Sequence, residues 1–449
     1  MTTLFRLSIF EHEQDMVYLP REINTLFSHI SFGGNCLCCS FYNGEKDEIS
    51  VSSSLATKLL LPQMEKVHLF SHEETLHIGP LVGIFSAGFT GSLLRPIGGR
   101  SLFFAKLLSH VKSTGGSAFL FGTHHINWEN GTINGYFYTE KGWSQQLIPF
   151  PHVVYDRLPN RRVEQYETFK LVKERLQKEY LIPWFNPGFF NKWSIYQLLQ
   201  QEQSVQTYLP ETRYAPSFDE IRDLIHRHQT VFLKPVNGSL GKGIIQIGFD
   251  SQENRYDCQY RLGTENMQRT FYQFDTLASH ILSDLTLKDY LIQQGISLIR
   301  RHERKVDFRV HTNKNESGMW EMTAVAAKLS GRGSVTTHLK NGGIVQTLDE
   351  LFASASKVKE IMAKLQTASL LISSVLESRM EELIGEIGFD FGIDDRGNVW
   401  LFEANSKPGR SIFSHPKLHH EDVRTQQLFL AYAKHLAEKS IQEPEVLYT

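Results

Sequence analysis

The sequence predicts a multidomain protein of mixed α/β and α+β class. The chain has 449 residues, and about 150 residues per domain is typical, so roughly three or more domains are expected. Strand-like and helical segments alternate between residues 81 and 121, which favours an α/β unit with parallel strands. Short strand patterns separated by turn residues recur in 230–274 and 387–405, which favours antiparallel sheets.

The composition is typical of a globular protein and excludes several other classes. Hydrophobic residues make up 41% and charged residues 21%, which excludes wholesale disorder, collagen and coiled coil. Lys plus Arg, 47 in all, nearly balances the 49 Asp plus Glu, and the net charge is −2. A chain with this balance has no overall attraction to nucleic acid or to anionic lipid, so neither is an expected partner.

Targeting and redox signals indicate a soluble protein in the cytoplasm. The longest uncharged apolar stretch, residues 79–94, is shorter than the ~20 residues of a membrane span. The first 15 residues lack the apolar core and cleavage site of a signal peptide. Four cysteines, three of them within residues 36–39, do not form a disulfide scaffold and are typical of a reduced, intracellular protein.

The first half of the chain divides into a β-rich unit and an α/β unit. Residues 1–78 contain strand patterns at 35–42 and 48–53, joined by good turn chemistry, and a short helix that stops at Pro62. Residues 79–165 follow a strand–helix–strand order and then a hairpin with Asn130-Gly131 at its turn. The predicted elements of this unit are strands 81–85, 117–121 and 152–155 and helix 101–111.

The second half is predicted to form two further α+β units, residues 166–295 and 296–449. The third unit has strands 230–236 and 244–249 around a glycine-rich loop, then further strands to residue 294. The fourth has two strands, a long helix without Pro or Gly, a hairpin and a final helix. These predicted elements are strands 306–312 and 319–328, helices 349–381 and 422–439, and hairpin 387–405.

The glycine-rich segment FLKPVNGSLGKGI is the first signal of a binding site. Gly238, Gly241 and Gly243 fall between two apolar strands, and glycine lets backbone N–H groups approach a phosphate closely. Lys234, at the end of the first strand, can neutralise a phosphate. The pattern is neither a Walker A motif nor a Rossmann fingerprint, because a strand follows it. The alternative is a flexible hairpin loop with solvated lysines.

The hairpin near the carboxyl end is the second signal. If Arg396-Gly397 is a two-residue loop, Asp390 faces Glu403 directly, and Asn405 lies two residues beyond on the same face. Two carboxylates and an amide oxygen then converge, which suits Mg²⁺ shared with substrate phosphates. The alternative is a solvated hairpin with ordinary surface acids. Asp390-Phe391-Gly392 also spells the metal motif of protein kinases, but the other kinase motifs do not appear in order.

Several motifs, taken in order, resemble one family. The ending GFDFGIDDRGNVWLFEANSKPGR is similar to that of the YheC/YheD family of endospore coat-associated proteins, within the ATP-grasp superfamily. The same holds for PLVGIF, NGTINGYFY, PFPHVVYDR, FNKWSIYQLL, YLIQQGISL and DFRVHTNK. The resemblance covers about residues 80–420, and the first 78 residues suggest the longer, YheD-like branch. It implies an ATP-grasp fold of two α+β subdomains, 166–295 and 296–449, behind a pre-ATP-grasp domain at 79–165.

The resemblance also implies roles for individual residues. Mg²⁺ would be held by Asp390, Glu403 and Asn405. The phosphates of the nucleotide would be bound by Lys192 and Lys234 and by the loop residues Gly238, Ser239, Gly241 and Gly243. Adenine would be held at the hinge between the two subdomains by Gln293 and Gln294, and the ribose by Asp307. The catalytic contacts would come from Arg309, Lys328 and Arg332.

Two departures from the usual pattern affect these assignments. Peptide and glutathione ligases have Arg and then Asn before a Gly-Gly pair, whereas here Lys328 to Arg332 is followed by His338 before Gly342-Gly343. The contacts to the γ-phosphate are therefore expected to differ. The hinge has glutamines where many relatives have an acid.

Three weaker signals stay open. The basic run Arg300, Arg301, Arg304 and Lys305 is either a solvated face or a clamp for an acidic substrate, because Arg binds carboxylate bidentately. Lys407 and Arg410, just past the predicted metal site, could bind substrate or be ordinary surface cations. The thiols of residues 36–39 are expected to be small buried side chains in a strand rather than a zinc site, because only three lie together.

Two functions of different class follow. The first is an ATP- and Mg²⁺-dependent ligase, which would phosphorylate a substrate carboxylate and let an amine or thiol attack the acyl phosphate. The second is a non-catalytic, coat-associated structural protein that still binds nucleotide. For both functions the setting is spore coat formation, the expected partners include spore coat proteins, and the expected location is the cytoplasm, the spore coat or the forespore. Retention of both carboxylates and the amide favours the enzyme.

Overall fold

The fold is described from a computed structural model of the whole chain. It covers residues 4–23, 26–238, 241–263, 265–331 and 342–443. Four β-sheets organise these residues, and helices cover the sheets. The mixed α/β and α+β class predicted from the sequence is confirmed. The predicted domain boundaries stay a prediction.

The first sheet comprises residues 4–79 and has eight strands in the described part of this region. Its strands are β1 (Leu4–Phe10), β2 (Met16–Leu19), β3 (His29–Phe32), β4 (Asn35–Cys38), β5 (Ser40–Asn43), β6 (Glu48–Ser52), β7 (Lys66–His72) and β8 (Thr75–Gly79). They lie in the order β4-β3-β8-β7-β1-β6-β2-β5. Helix α1 (Ser53–Lys58) follows β6, and the Ser52 side chain caps it by accepting a hydrogen bond from the Leu55 N–H.

The second sheet contains the parallel strands predicted between residues 81 and 156. Its strands are β9 (Leu81–Phe85), β10 (Ser117–Phe121), β11 (Ile126–Asn127), β12 (Thr132–Thr139), β13 (Gly142–Pro149), β14 (Val153–Asp156) and β15 (Trp184–Phe185). β9, β10, β14 and β15 run parallel, and every residue of β9 and β10 is buried, as expected when both faces are covered. The helices of this region are α2 (Ser101–Ser109), α3 (Val111–Thr114), α4 (Arg161–Glu164) and α5 (Glu167–Lys178).

The third sheet is antiparallel and contains the glycine-rich loop, so we call it the lid sheet. Its strands are β16 (Thr212–Tyr214), β17 (Thr230–Pro235), β18 (Ile245–Asp250), β19 (Arg255–Leu262), β20 (Glu265–Phe271) and β21 (Tyr290–Gln294). They lie in the order β16-β21-β17-β18-β19-β20, so β21 is an internal strand next to β17. Its helices are α7 (Phe218–His228) and α8 (Phe274–Leu277), whereas α6 (Lys192–Gln200), earlier in the chain, packs its Ile195 and Leu199 in the cluster of the core sheet described next. A capping box of Ser217 and Glu220 begins α7.

The fourth sheet carries the predicted metal hairpin, so we call it the core sheet. Its strands are β22 (Arg300–Arg301), β23 (Arg304–Lys314), β24 (Trp320–Leu329), β25 (Ile344–Gln346), β26 (Glu386–Ile393) and β27 (Val399–Asn405). The order is β25-β24-β23-β26-β27, with β22 paired to β23. The helices are α9 (Leu348–Leu351), α10 (Ala355–Arg379) and α11 (His419–Gln442). In the described residues, no helix is long and apolar enough to cross a membrane.

The core sheet has one apolar and one polar face, which fixes the location of the site. Val306, Phe308 and Val310 are buried in a cluster with Ile361 and Leu365 of α10. Side chains alternate along a strand, so Asp307, Arg309 and His311 lie on the opposite face. That polar face is directed away from α10.

Three predictions for local structure are wrong. Cys39 divides the predicted strand 35–42 into β4 and β5, which pair with different neighbours. Cys36 and Cys38 are exposed rather than buried, because β4 turns Leu37 toward the core and the two cysteines to the opposite, solvent-facing side. The predicted helix 349–381 is interrupted at residues 352–354, where Ser354 caps α10 by accepting a hydrogen bond from the Lys357 N–H at 3.4 Å.

Buried polar contacts join the second sheet to the core sheet. The Asn186 side chain is fully buried; it donates to the carbonyls of Glu386 and Ser406 and accepts from the Gly385 and Glu386 N–H groups. Lys407 lies 2.6 Å from Asp156, and their side chains are only 3% and 2% exposed. These contacts satisfy groups that would be costly to bury alone, so they fix the relative position of the two sheets.

Lys407→Ala should destabilise the protein by roughly 3–5 kcal/mol, because it leaves the buried Asp156 carboxylate without its cation. Urea unfolding followed by circular dichroism measures the change. Lys112→Ala is the matched control, because it breaks a pair of the same length, 2.6 Å to Glu140, whose side chains are 55% and 86% exposed. This control should unfold at the parent's urea midpoint. Equal midpoints for the two variants would contradict the structural role of Lys407.

Candidate functional site

The glycine-rich loop connects β17 to β18, as the sequence predicts. Gly241 and Gly243 have φ angles of 72° and 73°, in the left-handed region that favours glycine. A Cβ on Gly243 would also come within 2.8 Å of Pro235. The loop therefore requires glycine at these positions. Ser239, predicted to contact phosphate, lies outside the described residues.

Lys234 extends from β17 into the cavity between the lid sheet and the core sheet. Its ammonium donates a hydrogen bond to Gln293 Oε1, and the amide of Gln293 donates to Thr212 Oγ1 at 3.0 Å. Burial, together with the nearby charge of Lys192, lowers the pKa of Lys234 to about 8. The nearby carboxylates of Glu403, Asp390 and Asp307 raise the pKa of Lys234 but do not outweigh its burial and the charge of Lys192, so an added anion would be favourable at this position.

Lys192 connects the lid sheet with the metal hairpin. It begins α6, whose N-cap Asn191 accepts hydrogen bonds from the Trp193 and Ser194 N–H groups. Its Nζ donates to the Gly238 carbonyl at 2.8 Å and lies 3.8 Å from Glu403 Oε1. Lys192 therefore contacts both the glycine-rich loop and a predicted metal ligand.

The hairpin brings Asp390 and Glu403 together, but by a different route from the one predicted. The two residues pair directly across β26 and β27, so their predicted pairing is confirmed. The predicted two-residue loop at Arg396-Gly397 is wrong, because Ile393 pairs with Val399 and residues 394–398 form the turn between them. A β-bulge at Phe402 shifts the register back by one residue.

The bulge lies at the cavity. The consecutive residues Leu401, Phe402, Glu403 and Ala404 all line it. The Phe402 ring centroid lies 5.5 Å from Lys234 Nζ. The sequence alone did not predict Phe402 as a site residue, because a bulge leaves no clear signal in the hydrophobic pattern.

Asp390 is largely buried, with 15% of its side chain exposed, and is held by two cations of the core sheet. Nε and Nη2 of Arg309 each lie 3.2 Å from one of its carboxylate oxygens, and Lys328 Nζ lies 2.8 Å away. Burial alone would raise the pKa of Asp390, but Arg309 and Lys328 outweigh it and lower the pKa to about 2. Lys328 also lies 3.1 Å from Asp307, the predicted ribose contact. The three predicted residues Asp307, Arg309 and Lys328 therefore form one charged cluster with Asp390.

The oxygen donors of the hairpin fit Mg²⁺ in type. Glu403 is 29% exposed, and Asn405 lies two residues further along β27, opposite Gly388. Carboxylate and amide oxygens are ligands of hard cations. Within the described ranges, no three Asp, Glu, His or Cys side chains are grouped to bind a metal. The predicted set has only two carboxylates, so it would depend on the amide of Asn405 for its third protein ligand.

The cavity itself is bounded by the lid and core sheets and by α6. Its lining includes both lysines, Gln293 and Glu403. The further lining residues, which the sequence did not single out, are Ile195, Tyr196, Leu199, Leu209, Thr212, Leu291, Leu401, Phe402 and Ala404. The lining combines apolar side chains with a few convergent charges, as small-molecule sites do, and its volume of about 40 Å³ matches a small part of a nucleotide rather than the whole molecule.

The hinge glutamines make contacts within the lid sheet. Gln293 holds Lys234, and the Gln294 side chain accepts from the Glu211 N–H at 3.2 Å. The Gln294 N–H donates to the Glu211 carbonyl at 2.8 Å. Their predicted role in holding adenine stays a prediction. Arg332, predicted to be catalytic, and His338 lie outside the described residues.

Lys407 and Arg410 are held by acids from other parts of the chain. Lys407 pairs with Asp156, as described above. Arg410 is bound to the Asp422 side chain and lies 2.6 Å from Thr425 Oγ1. These contacts favour structural roles for both residues over the substrate contacts weighed from the sequence.

The comparisons with known proteins identify relatives over nearly the whole chain. The family described as YheC/D like ATP-grasp matches residues 181–436. The chain is 44% identical over 452 residues to the endospore coat-associated protein YheD of Bacillus subtilis, covering 99% of this chain and 98% of YheD. It is 24% identical over 273 residues to YheC of the same organism, covering 60% of this chain and 73% of YheC.

Similar solved structures include ligases at low sequence identity. D-alanyl-alanine synthetase A of Vibrio cholerae has a TM-score of 0.44 and 12% identity, covering 79% of this chain and 98% of that one. VanG D-Ala:D-Ser ligase of Enterococcus faecalis has a TM-score of 0.45 and 13% identity, covering 83% and 100%. The family match over residues 181–436 and the near full-length relative are decisive: the chain belongs to the YheC/D-like ATP-grasp family.

Proposed function

We propose that the protein is an ATP- and Mg²⁺-dependent ligase that joins a carboxylate to an amine or a thiol through an acyl phosphate. One observation carries the proposal. Lys192 and Lys234 lie on one side of a cavity whose other side carries Glu403, paired across its hairpin with Asp390. Two cations for phosphates and two carboxylates for a metal are the groups that phosphoryl transfer needs.

Within this proposal, the residues of the chain mainly bind and position. Lys192, Lys234 and the loop glycines Gly238, Gly241 and Gly243 would bind the phosphates. Gln293 would hold Lys234 in place, because it accepts its hydrogen bond. Gln294 would lie at the adenine and Asp307 at the ribose. Charge neutralisation by aligned groups supplies most of the catalysis in this class of reaction.

Asp390, Glu403 and Asn405 would hold Mg²⁺, which supplies charge neutralisation on the phosphoryl oxygens when bound. Arg309 and Lys328, now bound to Asp390, are positioned beside the same carboxylate. We assign them, with Arg332, to contacts with the transferred group. Their cationic side chains suit an anionic reacting centre.

The biological setting of the proposal comes from the relatives. YheD and YheC are described as endospore coat-associated proteins. We extend this to the present chain as a role in spore coat formation, with unknown carboxylate and amine or thiol substrates in the cytoplasm, the forespore or the coat. Mass spectrometry of spore extracts with and without the protein would reveal a missing ligated product.

A non-catalytic structural protein is the second candidate. It is favoured by one observation, the neutralisation of Asp390 by Arg309 and Lys328, which gives this carboxylate partners without a metal. The two candidates differ in ATP turnover. ADP release that depends on a carboxylate and an amine or thiol supports the ligase, and nucleotide binding without turnover in the presence of coat extracts supports the structural protein.

Lys234→Ala should weaken Mg²⁺-ATP binding by about 10- to 100-fold, the loss expected for one charged hydrogen bond in a buried site. Isothermal titration calorimetry measures the dissociation constants. Lys242→Ala is the matched control, because Lys242 lies in the same loop and is exposed. It should bind nucleotide like the parent. Equal losses in the two variants would mean that Lys234 is not the lysine that faces the phosphates.

Glu403→Gln should lower ATP turnover by at least about a hundredfold, because glutamine keeps the shape but loses the charge that offsets Mg²⁺. Its melting temperature without nucleotide should match the parent's, since Glu403 is part-exposed and lies 3.8 Å from Lys192. Coupled-enzyme assay of ADP release measures turnover with a substrate identified from the extracts. Asp395→Asn removes an exposed carboxylate from the same hairpin and should be fully active. Full activity of a folded Glu403→Gln protein would exclude the metal assignment.

A further inference from the structure

A second cavity lies on the apolar face of the core sheet. Its volume is about 180 Å³. It is lined from four directions: the segment before β23, the junction of α9 and α10, the first turns of α10, and the loop of the metal hairpin. Val306 lines it, whereas its neighbour Asp307 lies on the opposite face with Asp390. The cavity is therefore separate from the proposed nucleotide site.

The floor of this cavity is apolar. Val306, Ile361 and Ile393 are at most 1% exposed, and Leu351 is 3% exposed. Ile299 and Phe352 complete the apolar lining. An engineered apolar cavity of about 150 Å³ is known to bind benzene, so a volume of about 180 Å³ accommodates one ring or a short aliphatic chain.

The rim of the cavity is cationic. Arg300 and Arg301 both line it and are exposed, and neither guanidinium has an ion pair or side-chain hydrogen bond among the residues that the structure describes. Lys357, also on the rim, shares Glu360 with Lys364, at 3.0 Å from each ammonium. Two residues of the basic run singled out in the sequence, Arg300 and Arg301, therefore lie at the rim of a cavity.

The acids on the rim compensate only part of this charge. Asp394 accepts hydrogen bonds from the Arg396 and Asn398 N–H groups, the Asn398 amide and the Trp400 indole, at 2.8–3.0 Å. Its carboxylate is thus held inside its own loop. Asp395 is the remaining exposed acid of the lining, against two unpaired arginines. Counted formally, the lining carries three cations, Arg300, Arg301 and Lys357, against the carboxylates of Asp394 and Asp395, which leaves one positive charge and suits a monoanion.

We propose that this cavity binds a small carboxylate with an apolar body, its carboxylate on one of the rim arginines, Arg300 or Arg301, and its body on Ile299, Val306 and Ile361. Guanidinium groups bind a carboxylate through paired, charge-assisted hydrogen bonds. Burial of a ring or a short aliphatic chain against the apolar floor is energetically favourable. The ligand is either a free metabolite of this kind or the last residue of a peptide, since both present the same carboxylate and apolar group.

The proposal is tested with phenylacetate as the probe, titrated into the full-length protein and followed by ligand-observed NMR. Saturable binding with a dissociation constant on the order of 1 mM or tighter is expected. Benzyl alcohol, which has the ring but no carboxylate, should bind at least about tenfold more weakly. Absence of saturable phenylacetate binding, or equal affinity for the two compounds, would overturn the proposal.

The double variant R300A/R301A should weaken phenylacetate binding by at least about tenfold. Arg304→Ala is the matched control, because Arg304 belongs to the same basic run but does not line the cavity. It should change the affinity by less than about twofold. An equal loss in the control would show nonspecific charge attraction and contradict the site. Should the double variant not fold, the comparison of the two probes on the parent protein decides alone.

A tetrapeptide that ends in phenylalanine, compared with its C-terminal amide, distinguishes the two sources of the ligand. Competition by the free acid but not by the amide would assign the cavity to a peptide terminus. Competition by neither would assign it to a free small carboxylate. In both cases phenylacetate binding, as the primary result, supports the site.

Discussion

The structure depends on the balance of charge buried between the lid sheet and the core sheet. Four cations, Lys192, Lys234, Arg309 and Lys328, are grouped there with the carboxylates of Asp307, Asp390 and Glu403. Burying so many charges is costly unless each is paired. The pairs within the core sheet are close, whereas Lys234 has only the amide oxygen of Gln293 as its hydrogen-bond partner among the described residues. The lid side therefore carries the uncompensated positive charge, where phosphates would be bound.

The register of a single hairpin determines whether this balance exists. A bulge at Phe402 allows Asp390 to face Glu403 despite a loop longer than two residues. A regular ladder continued from the loop would place Phe402 opposite Asp390 and turn Glu403 to the other face. The same bulge brings the Phe402 ring under Lys234. Local backbone irregularity thus positions both an acid and an aromatic ring at the cavity.

The sequence predicted the fold class and the residues that meet, and it failed where tertiary context decides. Glycine spacing and the alternation around Asp390 and Glu403 are local signals, so the loop and the pairing could be predicted. The bulge at Phe402 could not be predicted, since its effect on the register depends on packing across two strands. The ion pair of Lys407 could not be predicted either, because its partner Asp156 is 251 residues away in the chain. Exposure of Cys36 and Cys38 likewise depends on which face of β4 meets the core, and this face carries Leu37 instead.

We expect Mg²⁺-nucleotide to bind in the cavity between the two sheets, and a crystal structure of the full chain with Mg²⁺ and a non-hydrolysable ATP analogue would show whether it does. Phosphates should contact Lys192 and Lys234, and a metal ion should contact Asp390, Glu403 and Asn405. A nucleotide bound elsewhere, or phosphates that contact neither lysine, would contradict this expectation.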